Sequence, residues 1–99
     1  MRVKHKNAQL ERMERERDCT GGWAHEIVRA FRKQMQSIRA AIDERDIRAI
    51  PGDHFEKLSG ARSHQRSIRL NKQWRLIIEF TQSEDEPVAN IVAIEDYHR

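Results

Sequence analysis

The sequence predicts an α+β fold, with helices gathered on one face of a small antiparallel sheet. Three stretches carry that prediction. Between Arg66 and Phe80 the chain alternates. Ile68, Leu70, Trp74, Leu76, Ile78 and Phe80 share one parity; Ser67, Arg69, Asn71, Arg75 and Glu79 share the other. Period-two alternation rich in β-branched and aromatic residues marks strands with one buried face. Between Trp23 and Ile42, the residues Ala24, Ile27, Val28, Phe31, Met35, Ile38 and Ile42 recur at three- and four-residue spacing, the signature of an amphipathic helix. A further apolar run, Val88 to Ile94, reads as a last strand and leads into Glu95-Asp96-Tyr97-His98.

In chain order, Arg2 to His5 reads as a short edge strand around Val3. Asn7 to Asp18 reads as a charged helix with Leu10, Met13 and Arg17 along a thin seam. Gly21-Gly22 breaks the chain before the main helix. Thr20 lies in that helix's expected cap region, and Glu26 suits the positive end of its dipole. Trp23 and Phe31 are expected in the core, where each contributes about 2 kcal/mol or more. Asp43 to Ile50 reads as a further helical turn that anchors Ile47 and Ile50 and ends at Pro51-Gly52. Asp53 to Gly60 is a connecting segment with Phe55 and Leu58 pointing inward, and Gly60 to Gln65 is a loop. Asn71-Lys72-Gln73 is the expected hairpin turn, and Gln82 to Pro87 a polar turn before the last strand. With Lys72 at the tip, Arg69 falls opposite Arg75. Like charges directly opposite on one sheet face repel, so that face is a seat for an anion.

Length and composition bound the function. The 99 residues, of which 35% are charged and 37% hydrophobic, are read as one domain spanning 1–99. No apolar run approaches the roughly 18 residues of a membrane span, and the basic N-terminus lacks the apolar stretch of a secretory signal. A lone Cys19 forms no internal disulfide, so the expected compartment is the cytoplasm. The formal charge is only +3, but Lys57, Arg62, Arg66, Arg69, Lys72 and Arg75 follow one another without an intervening Asp or Glu. Such a block on a sheet is either a solvated face or the footprint of a polyanion, nucleic acid first.

The chemistry gathers at the end of the chain. His98 suits proton transfer near neutral pH, Asp96 can hold a tautomer or a cation, and Tyr97 can donate a hydrogen bond or stack on a base. Arg69 and Arg75 suit a phosphate. A base, an acid and an arginine clamp are what phosphodiester cleavage in RNA requires. His54, His64, His98 and Asp96 show no metal-ligand spacing, and neither a metal nor another cofactor is expected. A non-catalytic RNA-binding module and a plain protein-interaction module stand as alternatives.

Taken together, Phe55-Glu56-Lys57-Leu58-Ser59-Gly60, Arg62, Ser67-Ile68-Arg69-Leu70-Asn71, Gln73-Trp74-Arg75-Leu76 and the terminal Glu95-Asp96-Tyr97-His98 resemble the HigB-type (GraT-like) toxins of the RelE superfamily. The resemblance extends to Lys4-His5-Lys6 and to Asp43 through Ile50, and so spans nearly the whole chain. It implies a RelE-like small twisted antiparallel sheet with two N-terminal helices packed on one face. It also implies a type II toxin that enters the ribosome and cuts mRNA by attack of the 2′-hydroxyl, without a metal. The implied partner is a helix-turn-helix, HigA-like antitoxin, with operator DNA reached only through the antitoxin complex and no membrane involved. By the same resemblance Asp96, Tyr97, His98 and Arg75 fall on catalytic positions. Arg62 falls on a loop arginine of the family, and a histidine that some members use aligns with Glu56, two positions after His54. Lys57, Arg66 and Arg69 complete the expected substrate-binding set. A weakened member that binds RNA or the ribosome without efficient cleavage is the alternative.

Overall fold

The computed structural model describes residues 1–97. Its elements are β1 (Arg2–His5), α1 (Ala8–Arg15), α2 (His25–Ala40), α3 (Glu44–Arg48), β2 (Glu56–Lys57), a 3-10 turn (Gly60–Arg62), β3 (Gln65–Arg69), β4 (Trp74–Ser83) and β5 (Glu86–Asp96). The sheet has five strands in the order β1-β5-β4-β3-β2. All neighbours are antiparallel except β1, which runs parallel to β5. The sheet thus has two strands more than the three that alternation makes obvious. One is the edge strand β1; the other is β2, which the sequence presents as part of a connecting segment. No helix among the described residues is long and apolar enough to cross a membrane.

The α1 helix starts at Asn7, whose side chain accepts from the Leu10 amide at 3.1 Å and so satisfies one otherwise unpaired donor. It buries Leu10 and Met13 and ends at Arg15, which leaves Arg17 exposed beyond its seam. One carbonyl of its last turn and three just beyond its end are taken up by one residue of α2. Arg32 donates to the carbonyls of Met13, Glu16, Arg17 and Cys19 at 2.9–3.1 Å. The α2 helix buries Ile27, Val28, Phe31, Met35 and Ile38, as its spacing predicts. It is shorter than that spacing suggests. Ala24 is its N-cap and makes no side-chain cap bond, while Thr20 accepts instead from the Gly22 amide. Trp23 stays outside the helix and packs edge-on against Trp74, ring centres 4.8 Å apart. At the far end Ala41 turns extended, and Ile42 stands 78% exposed instead of continuing the apolar face.

These helices cover one sheet face. Ile68, Leu76, Ile78, Ala89 and Ile91 meet Leu10, Met13, Val28, Phe31, Met35 and Ile38 in the core. The β4–β5 register shifts once. Ile77 pairs with Ala93 and Ile78 with Ile91, so Val92 is an extra residue in β5. Beyond this bulge Ile94 falls opposite Leu76, and Glu95 falls opposite Arg75.

Candidate active site

The face turned away from the helices bears the site. β3 supplies Ser67, β4 supplies Arg75 and Ile77, and β5 supplies Glu95, with Tyr97 following. β2 and the 3-10 turn form the opposing wall. Glu56, Lys57, Leu58, Ser59 and Arg62 close a cavity of about 370 Å³ with Ser67, Arg75, Ile77, Glu95, Asp96 and Tyr97. A second hollow of about 280 Å³ adjoins it, lined by His54, Glu56, Arg69, Asn71, Lys72, Arg75 and Tyr97. Glu56, Arg75 and Tyr97 line both.

Arg75 is the centre of this arrangement and is only 5% exposed. Its Nε and Nη2 donate to Ser67 Oγ at 3.2 and 3.1 Å, and Nη2 also donates to the carbonyls of Ser67 and His54. Its guanidinium carbon lies 4.8 Å from the centre of the Tyr97 ring, a cation–π contact. The Tyr97 hydroxyl donates to Glu56 Oε1 at 3.1 Å. His54 reaches this position with φ +48°, a left-handed conformation that is uncommon outside glycine.

The expected pairing of Arg69 with Arg75 holds in register. The expected pair of open, mutually repelling cations does not form. Arg75 turns inward onto Ser67, His54 and Tyr97, whereas Arg69 Nη1 lies 3.4 Å from His54 Nε2 at the second hollow. Buried hydrogen-bond acceptors hold the Arg75 head more firmly than charge repulsion can push it out.

Arg62 sits at the far wall. Its Nη1 and Nη2 donate to the two carboxylate oxygens of Glu95, both at 2.8 Å, and its Nε donates to Gln65 Oε1 at 2.7 Å. Gln65 donates in turn to Glu79 Oε2 at 2.8 Å, and Lys6 donates to Glu79 Oε1 at 2.6 Å. The bond to Glu95 raises the Arg62 pKa above its ordinary value. The bond from Gln65, with that from Lys6, holds the Glu79 carboxyl below the usual carboxylate range.

Not every expected site residue joins this cavity. Arg66 pairs with Ile78 on the helix-covered side; its Nη1 donates to the Ser63 carbonyl at 2.8 Å, and its Nε lies 3.5 Å from Glu44 Oε2. Alternation along β3 puts its side chain on the face opposite Ser67. Lys57 is its cross-strand partner and reaches the cavity at its edge. Asp96 lines the cavity, but it pairs with Trp74, and its carboxylate accepts from Gln73 Nε2 at 3.1 Å. His98 lies outside the described residues. Ser67, Gln65 and Glu95 were not singled out by sequence reasoning. Ser67 and Glu79 share Arg75's parity, which is the signal that could have found the first; Glu95 depends on the bulge and has no such signal.

Comparisons with known proteins bear on the family and the fold. A family model described as the RelE-like toxin of the type II toxin–antitoxin system HigB matches residues 3–98. Toxin HigB-1 of Vibrio cholerae is 41% identical over 54 residues, which are 54% of this chain; the chain spans 57% of that relative's length. A YoeB/ParE toxin from Agrobacterium tumefaciens shares the fold at TM-score 0.63 and 12% identity, over 99% of this chain and 100% of its own. YafQ from E. coli does so at TM-score 0.61 and 10% identity, over 98% and 94%. The YoeB–YefM complex from Staphylococcus aureus contains a chain similar at TM-score 0.55 and 17% identity, over 100% and 98%.

Proposed function

Because this chain belongs to the HigB-like toxins, RelE-like toxins of type II toxin–antitoxin systems, we propose that it is a ribosome-dependent endoribonuclease that cleaves mRNA and so inhibits translation. The observation that carries the reading is Arg75, seated over Tyr97 and beside Glu56 at the junction of two cavities on the open sheet face. The toxin acts as one domain, 1–99, in the cytoplasm, and is held by a cognate helix-turn-helix antitoxin of the HigA type. Operator DNA is met only through that complex. The S. aureus relative is seen together with YefM, which supports a protein partner of this kind.

The chemistry follows from the groups present. The ribose 2′-hydroxyl gives its proton to a base, and its oxygen attacks the adjacent phosphorus. The bond from phosphorus to the 5′-oxygen breaks, leaving a cyclic phosphate and a 5′-hydroxyl once that oxygen takes a proton. Glu56, expected from the sequence to bind substrate, is the proposed acceptor of the first proton; its Oε1 already accepts from the Tyr97 hydroxyl. His98 is the expected donor of the second. Arg75 and Tyr97 meet the charge that builds on the phosphate, Arg62, Arg69, Lys57 and His54 hold the flanking strand, and Asp96 steadies the hairpin end through Gln73. Arg66, which faces the other side of the sheet, is left out of the substrate-binding set.

Primer extension on translated mRNA tests the reading. Cleavage within codons is expected with the intact protein and not with soluble His98→Ala; undiminished cleavage by that variant removes His98 from the set. Because Arg62 and Arg75 are bonded within the protein, a second reading gains support: a member that binds RNA or the ribosome with little cleavage. The same experiment separates the two.

A further inference from the structure

We propose that Glu95 is a built-in gate on a phosphate-binding edge of Arg62: its carboxylate holds the place of an RNA phosphate and is exchanged for one when substrate enters. The proposal rests on the RNA-cleaving reading given above and adds to it the residue that controls entry to the site.

The geometry of the pair is the first ground. Two parallel bonds of 2.8 Å join Nη1 and Nη2 to the two oxygens of Glu95. A phosphate presents the same two-oxygen edge to a guanidinium, so carboxylate and phosphate compete for one face of Arg62. The second ground is how the rest of Arg62 is held. Its Nε is fixed separately by Gln65, which is 9% exposed and is itself fixed by Glu79, with Lys6 behind it. Departure of Glu95 therefore leaves the guanidinium aimed as before, with its Nη edge open to the cavity it lines. The third ground is exposure. The side chains of Arg62 and Glu95 are 46% and 38% exposed, and solvent-exposed ion pairs are weak enough to be displaced by a better anion.

The gate has a consequence for the substrate. With Glu95 in place the pair is neutral, so stray RNA meets no open charge at the Nη edge of Arg62. RNA delivered at high effective concentration, as when it is threaded beside the bound protein, displaces the carboxylate.

The test uses the full chain and a short oligoribonucleotide made uncleavable by 2′-O-methyl groups, with binding followed by fluorescence anisotropy across a salt series. Intact protein, Glu95→Gln, Arg62→Gln and the double variant are compared. Glu95→Gln is expected to bind about two- to fivefold tighter at low salt. Its plot of log affinity against log salt should be steeper by about 0.7, the value for one more phosphate contact on a single strand. The gain should vanish in the Arg62→Gln background. Equal or weaker binding by Glu95→Gln overturns the gate, as does the same gain without Arg62, which would mark a general effect of charge. Intact protein that binds with no gain in the variant removes the gate alone. Failure of both proteins to bind removes the RNA-site reading with it. Nuclear magnetic resonance of the Glu95 side-chain carboxyl carbon, the group exchanged in the gate, needs no variant. Its signal should shift as the oligonucleotide is added, and a signal that stays in place while RNA binds also overturns the gate.

Discussion

Arg32 and Arg75 do similar work in two different settings. Arg32 ties the end of α1 to α2 through four backbone carbonyls on the helical side. Arg75 ties β3 and the His54 corner to β4 on the sheet's other side, and its partners include the Tyr97 ring. The first is a connector with no part in the cavities. The second is a connector built into them. On the proposed function, stability and activity therefore separate at Arg32 and are fused at Arg75. A basic residue on a sheet cannot be assigned to ligand or scaffold from its charge alone; the acceptors around it decide.

The sharpest way to break the comparison is Arg75→Ala. Cleavage on saturated ribosomes should fall by more than tenfold, consistent with loss of charge stabilisation at the phosphate. Folding should also weaken, by about 2 kcal/mol or more, because a buried charged donor leaves Ser67 and the His54 carbonyl without it. Urea denaturation measures the second effect. An unchanged midpoint would show that the cavity closes over the loss and that the arginine is not a connector.

Arg32→Ala comes next. Stability should drop by about 1 kcal/mol, since Met13 and the turn that follows α1 lose their shared donor. Amides of residues 14–19 should exchange faster, while cleavage per folded molecule stays at the original rate. A matching loss of cleavage would undo the separation.

Acid pH offers a smaller test of both sides at once. On the helical side, the bond from Arg39 holds the Glu14 carboxyl below the usual carboxylate range; Gln65 and Lys6 do the same for Glu79 near the cavity. A depressed folded-state pKa gives stability that is whole above the unfolded value. That stability is lost as pH falls from about 4.3 through the lower folded value. The urea midpoint should decline over that window. Glu14→Gln and Glu79→Gln should each flatten part of the decline, and a variant as steep as the parent would dismiss its carboxylate.

Arg69→Ala is the mildest change. Among the described residues its guanidinium makes a single polar side-chain approach, to His54 at 3.4 Å, so the melting temperature should barely move while RNA or ribosome binding weakens. A large drop in melting temperature would make Arg69 a connector like Arg75.

Much of this fold is legible in the sequence because periodicity reports burial directly. Ile68, Leu76 and Ile78, and Ile27 through Ile38, fall where their spacing puts them. Ends are read less well: Ala24 and Ala41 bound α2 for reasons of local backbone geometry, and neither residue type announces a cap. β2 is only two residues long and takes its identity from pairing with β3, which no local pattern encodes. In the site, Arg75, Tyr97, Glu56 and Arg62 are legible as chemistry, and the Arg69–Arg75 register follows from the turn. The inward swing of Arg75 is not, because it depends on Ser67 and on a carbonyl of the distant His54.

Val92 gives β5 a spare residue, and a spare residue is slack. A strand in strict alternation has none: losing any one position turns everything beyond it to the other side. Here a single deletion anywhere from Val92 to Ile94 can be absorbed by straightening the strand, with Glu95 and Tyr97 still facing Arg75. Deleting Val92 itself would keep Ile94 opposite Leu76, whereas deleting Ile94 would put Ala93 there and leave the core underfilled. Tolerance to shortening in this strand is thus graded by volume and not by orientation, and β5 can lose one residue with Glu95 still opposite Arg75.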